Sequence, residues 1–382
     1  MKKISSYLFL VLLILNSCSQ DEDTQLVRNT TNPTTPTTAN SLKEAYKQYF
    51  LLGTALNRGQ IQETSAKATT LIAREFNALT AENDMKSAYM QPVKNSFNFT
   101  ESDKIMAFAQ KHNMYVVGHT LIWHSQLPNW LSAITDAVEM NKAIENHVTT
   151  IVKKYKGKIG SWDVVNEAVE DNGSLRKSVF FNVLGEDYIA KSFQLAAEAD
   201  PSAELYYNDY SMTNPTKRAG VIRMVKKIQE QNIKIDGIGM QGHWHIDSPS
   251  IADIESSIIA YANLGVKVAI TELDVSVLPS PWGQQGADIN QNFENNPTMN
   301  PYPNVLPDAM QIKLAQRYYN IFKLFLKHKD KISRVTFWGV NDAQSWLNNF
   351  PIQGRTDYPL LFDRDFEPKK AYQAVIDVAK EK

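Results

Sequence analysis

Three hundred and eighty-two residues, 43% hydrophobic and 21% charged, suit a soluble globular enzyme and leave ample length for a large core. A formal net charge of −1, with no block of like charge, excludes the basic stripe that a nucleic-acid partner would need. The single cysteine, Cys18, excludes an intrachain disulfide.

In chain order, Lys2 and Lys3 come first, then the apolar run YLFLVLLIL, then small residues up to Cys18. That is the layout of a signal peptide over residues 1–17. The apolar run is too short to span a bilayer as a mature helix. LNSC resembles a bacterial lipobox, in which the cysteine becomes the lipidated first residue. A plain secretory signal with a chance cysteine is the other reading. The acidic SQDED that follows resembles a surface-export tag. The expected location is the bacterial outer membrane or cell surface, held by lipid, with a periplasmic or secreted protein as the alternative. Residues 18–40 hold the lipidated Cys and a tether rich in Thr and Pro, NTTNPTTPTTAN, that cannot bury apolar area. A catalytic domain is expected over 41–382, with Ser41 placed to cap its first helix, LKEAYKQYF.

From Phe50 onward, strand and helix alternate. Apolar, β-rich runs occur at FLLGTALN, EFNALTAEN, MYVVGHTLIWH, SWDVVNEAV, ELYYNDYS, GIGMQGH, VKVAITELDVS and RVTFWGV. The clearest helical spacings between them cover 102–112, 138–156, 216–231, 250–264 and 308–329. This alternation predicts an α/β fold with a parallel sheet. Eight units in ~340 residues fit a (β/α)8 TIM barrel forming one catalytic domain. An open doubly wound sheet is the alternative, but no glycine-rich phosphate loop follows the first strand.

The expected strand ends carry Asn57, Glu82 with Asn83, His119 with Trp123, Asn166 with Glu167, Asn208-Asp209-Tyr210, Gln241 with His243, Glu272 with Asp274, and Trp338. In such a barrel all of them reach one rim, where function resides. Glu167 ends the fourth strand and Glu272 the seventh. A carboxylic acid and a carboxylate facing one another are what acetal hydrolysis requires. Each is approached by a buried strand that would support it rigidly. An isolated Glu is ordinarily solvated or ion-paired; the shared rim is what distinguishes these two.

Metal chemistry is the competing use. His112, His147 and His328 lie in helical runs, where exposure is expected, and His119, His124, His243 and His245 lie nearer the rim. No HExxH occurs, and HWH is the one close His pair. No metal and no cofactor are expected. G-x-S-x-G is also missing, which removes the usual sign of serine chemistry.

FNALTAENDMK, VVGHTLIWHSQLPNWL, SWDVVNEAV, YYNDYS, GIGMQGH, AITELDV, TFWGVNDAQSWL and PLLFD occur in this order. With them, the chain from about 43 to 380 resembles glycoside hydrolase family 10, the retaining endo-β-1,4-xylanases. The resemblance implies Glu167 as acid/base and Glu272 as nucleophile. It implies that Glu82, Asn83 and Lys86 bind glycone hydroxyls, with His119, Trp123, Gln241, Trp338 and Trp346 lining the same side. Asn166 would bond the sugar 2-hydroxyl, His243 would hold the nucleophile with Asp274 behind it, and Tyr210 would help to floor the cleft. The partners implied are xylan and xylo-oligosaccharides, with membrane contact through the lipid alone and a monomeric enzyme. Ser87 stands where the family commonly has Trp, which removes an aromatic near the glycone end. Pro279–Pro307 forms a long loop whose Trp282 or Tyr302 would extend the substrate track, or else a surface insertion. Two rivals remain at this level: a similar barrel acting on another β-1,4-glycan, and a glycan-binding lipoprotein on an inactive barrel.

Overall fold

Eight parallel strand positions close on themselves in the computed structural model, which describes residues 41–280 and 297–381. The signal run, Cys18, the tether and Trp282 lie outside the described residues. The strands are β1 (Leu51–Leu56), β2 (Ala78–Ala81), β3 (Tyr115–Trp123), β4 (Ser161–Asn166), β5 (Glu204–Asp209), β6 (Gly237–Met240), β7 (His243–His245), β8 (Lys267–Ser276) and β9 (Ile332–Phe337). β1 to β6 pair in parallel in chain order, β6 and β7 each pair with β8, β8 pairs with β9, and β9 pairs with β1, which closes the barrel. β7 is the sixth position resumed after a break at Gln241-Gly242. Gly242 has φ +86, a backbone that side chains disfavour, and this lets the strand turn before pairing again with the end of β8.

The helices fall where spacing predicts them: Thr100–His112, Ala137–Lys154, Pro215–Glu230, Ile251–Ala262 and Asp308–Lys327. Side chains of Asp136, Asn214 and Ser250 accept from backbone N–H groups in the first turns of three of them. No helix among the described residues is long and apolar enough to cross a membrane.

Two local expectations are corrected. The first helix, Leu42–Tyr46, takes no side-chain bond from Ser41. Its first N–H is satisfied by buried Glu75, whose Oε2 accepts from Leu42 N at 2.8 Å. The helical histidines are not exposed. His147 is fully buried between Ser87 Oγ (3.3 Å) and Gln91 Oε1 (2.7 Å), and burial pushes it down to about 4. His328 meets Glu255 at 2.6 Å and His112 meets Glu63 at 2.9 Å. Periodicity marks a helix face but does not reveal a polar partner supplied by another element.

The barrel interior is not wholly apolar. Arg334 of β9 is buried there, with Nη1 donating to Ser161 Oγ at 3.1 Å and Nη2 lying 3.6 Å from Asp163. Asp163 in turn meets His119 Nδ1 at 2.9 Å. Outside the lumen the packing is tight. A Cβ on Gly118 of β3 would stand 2.1 Å from Trp162 Cε3 in the next strand. Gly118→Ala should therefore lower the unfolding free energy by ~1–3 kcal/mol, the usual cost of overpacking. Denaturant titration checks this, and an unchanged midpoint would show that the indole moves aside freely.

Candidate active site

β8 sets Glu272 and Asp274 two residues apart, so both side chains leave the same face of the strand. The register His243↔Asp274 then brings the imidazole of β7 between them. His243 Nδ1 lies 3.0 Å from Asp274 Oδ2, and Nε2 lies 3.1 Å from Glu272 Oε2. Burial works against a charged ring, but the two carboxylates outweigh it and raise His243 to about 10. The group is an imidazolium donating from both nitrogens. Burial would raise Glu272 as well; hydrogen bonding from His243, the nearby His119 and the Asn208 amide together hold it below the ordinary carboxylate value. Asn208 Nδ2 donates to Glu272 Oε1 at 2.9 Å, and Thr271 Oγ1 donates to Asn208 Oδ1 at 2.6 Å. Both oxygens of Glu272 are thus fixed from beneath.

Glu167 is presented differently. β4 is buried along its length and ends at Asn166; Glu167 follows with φ +58, in the left-handed region. That turn swings its side chain onto the rim. Trp123 Nε1 donates to Oε2 at 2.8 Å and Gln241 Nε2 donates to Oε1 at 2.9 Å. The backbone is tied by Glu167 N donating to Asn208 O (2.9 Å) and Arg176 Nε donating to Glu167 O (2.7 Å). Asn208 Nδ2 also donates to Asn166 Oδ1 at 2.9 Å. Turning the Asn166 amide over would gain a bond to the Asn208 carbonyl at 3.1 Å and one from Trp123 Nε1 at 3.2 Å but set two NH₂ groups 2.9 Å apart. Because Glu272 already fixes the Asn208 amide and Trp123 Nε1 already donates to Glu167, Asn166 keeps its oxygen inward. Its NH₂ is left with only a 3.4 Å contact to Glu167.

The other residues expected from the sequence gather on the same rim. Lys86 is buried, with Nζ 3.1 Å from Asn83 Oδ1 and 4.8 Å from the Trp123 ring centroid. Burial lowers Lys86, while Glu272, Glu82 and Glu167 oppose that shift. Burial raises Glu82. Trp338 packs edge-on to His119 and His243, and Trp346 Nε1 donates to Asp274 Oδ2 at 2.9 Å. Tyr210 lines the same cleft, which has a volume of about 1110 Å³. Gln241 and Trp123, expected only as lining, also hold Glu167.

Ser87 departs from expectation because it faces inward. Its Oγ meets His147, so position 87 does not border the cleft. Tyr302 packs against the hydrophobic core, and its carbonyl accepts from Tyr358 OH. Three further residues belong to the site: Asn208, which touches the nucleophile candidate, and Arg176 and Lys217, which brace Glu167 and Tyr210. Asn208 is among the strand-end residues, but residue type alone does not single it out. Nothing in the spacing marks the other two.

The chain is similar to known glycosyl hydrolases over most of its length. The family model described as Glycosyl hydrolase family 10 matches residues 41–378. Endo-1,4-beta-xylanase A of Xylanibacter ruminicola is 43% identical over 341 residues, covering 88% of this chain and 92% of that protein. The solved structure of a GH10 endoxylanase retrieved from sugarcane soil metagenome superposes with a TM-score of 0.85 at 46% identity, covering 88% of this chain and 99% of the other. That of xylanase XynB from Paenibacillus barcinonensis, complexed with a conduramine derivative, gives 0.78 at 37% identity, covering 88% and 98%.

The charge on His243 has a consequence for stability. A histidine raised from 6.5 to about 10 contributes stability that is complete below 6.5 and is lost as pH rises through about 10. Asp209 and Asp342, raised by burial to about 7 and about 6, lose their contributions below that upper limit. The unfolding free energy should therefore fall between pH 7 and 10, at about 1.4 kcal/mol per unit where His243 alone governs. His243→Gln should flatten that slope in denaturant titrations. A wild-type profile that is already flat there would rule out the imidazolium.

Proposed function

This chain belongs to glycosyl hydrolase family 10, and on that premise we propose that Glu272 is the nucleophile and Glu167 the acid and base of its reaction. It hydrolyses internal β-1,4-xylosidic linkages of xylan and retains the anomeric configuration. Retention requires two displacements at the same carbon. In the first, a Glu272 oxygen bonds to the anomeric carbon, the bond to the leaving sugar breaks, and Glu167 gives its proton to the departing oxygen. In the second, Glu167, now a carboxylate, takes a proton from water. The water oxygen attacks the same carbon and releases Glu272.

One observation carries the assignment. The two carboxyl groups receive different donors: an imidazolium and an amide for Glu272, and a neutral indole and a neutral amide for Glu167. A cation as permanent neighbour favours the anion that must attack. Neutral donors accommodate a group that alternates between protonated and ionised forms. The Asn166 NH₂, with only a weak contact of its own, is the donor for the sugar 2-hydroxyl. Glu82, Asn83 and Lys86 bind glycone hydroxyls beside it, with His119, Trp338 and Trp346 lining that side and Tyr210 flooring the cleft.

The protein also carries a lipid on Cys18, which holds it at the bacterial outer membrane or cell surface. Supporting this are the basic start, the short apolar run and the sole cysteine directly after it. Residues 1–17 are removed, 18–40 form the tether, and 41–382 form the catalytic domain.

Glu272→Ala should lower turnover of xylan by several orders of magnitude, since no covalent intermediate can form. Added azide should restore part of the activity on a substrate with a good leaving group and give a glycosyl azide of inverted configuration. Near-normal xylan hydrolysis by this variant would refute the assignment. Cys18→Ala should abolish incorporation of labelled fatty acid and release the protein from membranes; membrane retention equal to the wild type would point to a different anchor.

A further inference from the structure

Lys217 occupies a position that two physical effects oppose. It is completely buried, and it sits in the first turn of the helix Pro215–Glu230, where the helix dipole disfavours a cation. Asn214 caps that turn, accepting from Thr216 N at 2.8 Å and Lys217 N at 3.3 Å, so the residue is firmly placed. Its Nζ meets buried Asp209 at 2.8 Å and lies 3.6 Å from the ring centroid of Tyr210. A more distant contact, 3.5 Å, goes to the exposed Asp171.

From Asp209 the contacts lead to the acid/base. Asp209 accepts from Tyr210 N (2.8 Å), from Val169 N (3.4 Å) and from the Tyr207 hydroxyl. The Tyr207 oxygen in turn accepts from the amides of Ala168 and Val169, both at 3.1 Å. Those are the two residues after Glu167, whose left-handed backbone must be held in place. Arg176 closes the circuit, donating from Nε to Glu167 O and from Nη2 to Tyr210 OH at 2.5 Å. The order of donors matters. Tyr207 has one hydroxyl proton, and giving it to an anionic Asp209 turns its lone pairs toward the two amides. Burial already pushes Asp209 up to about 7 with Lys217 beside it. Without that ammonium, Asp209 takes a proton, and the donors and acceptors of the chain no longer match.

We propose that Lys217 is a positioning residue for the acid/base, holding the Glu167 turn through Asp209 and Tyr207 and locking it to the cleft floor through Tyr210. This rests on the reading of Glu167 as the acid. The bland alternative is an ion pair that only ties the helix to the barrel, and the two differ in what they do to proton donation.

The test compares aryl β-xylobiosides with good and poor leaving groups on the full-length enzyme, alongside thermal melts. A displaced acid slows the substrate that needs a proton more than the one that does not. Lys217→Met should lower kcat/KM on the poor leaving group about tenfold more than on the good one. Tyr207→Phe removes only a hydroxyl from the same chain, so it should show the same bias and serves if Lys217→Met does not fold. Equal slowing of both substrates in whichever variant folds, even with a lowered Tm, overturns the proposal. Glu167→Gln separates the two readings. A leaving-group bias there with none in Lys217→Met or Tyr207→Phe overturns the positioning role alone. No bias in Glu167→Gln overturns the acid assignment and the positioning role with it.

Discussion

A half-buried imidazolium between two carboxylates governs the arrangement of this site. His243 can remain charged there only because Asp274 and Glu272 stand on either side of it. That demand reaches down into the fold. Glu272 and Asp274 have to leave one face of β8, and β7 has to resume after Gly242 in register with them. The same Asp274 Oδ2 that meets His243 also accepts from Trp346, whose loop follows the last strand. The sixth, seventh and eighth barrel positions are thereby joined by one charge. Glu272 sits where three elements have already been fixed by their own hydrogen bonds.

The Glu167 side is built on a different principle. Glu167 has no charged partner within hydrogen-bonding distance of its carboxylate; it is placed by its backbone. A left-handed turn after β4 points the side chain across the rim, and the following amides are satisfied by Tyr207 beneath it. Fixing the backbone leaves the carboxyl group itself free to lose and regain a proton without breaking an ion pair. Asn208 connects the two halves: its backbone oxygen accepts from Glu167 N while its amide donates to Glu272. A shift of β5 would therefore disturb both carboxylates together.

The barrel lumen repeats this use of polar groups. Arg334 and Asp163 carry a polar line from the interior up to His119 at the rim. Such groups are costly to bury unless each finds a partner, and partnered they specify one geometry. Apolar packing holds the outer layer, where Gly118 leaves room for Trp162.

Much of this was legible from local pattern. Alternation of β-rich and helical runs specifies a parallel barrel, because short connections leave few other ways to bury both faces of every strand. Barrel closure then implies that residues as distant as Glu82, Glu167 and Glu272 share a rim, since strand ends are fixed by strand direction. What pattern could not supply were partners brought from elsewhere by packing. Glu75 replaces Ser41 at the first helix, Ser87 turns inward to His147, and Lys217 reaches Asp209. Which groups reach the rim follows from periodicity and strand polarity, which are local properties of the chain. Which of them touch, and so which carboxylate is held beside a cation and which is held by its backbone, follows from packing alone, because such contacts depend on distances between elements far apart in the chain.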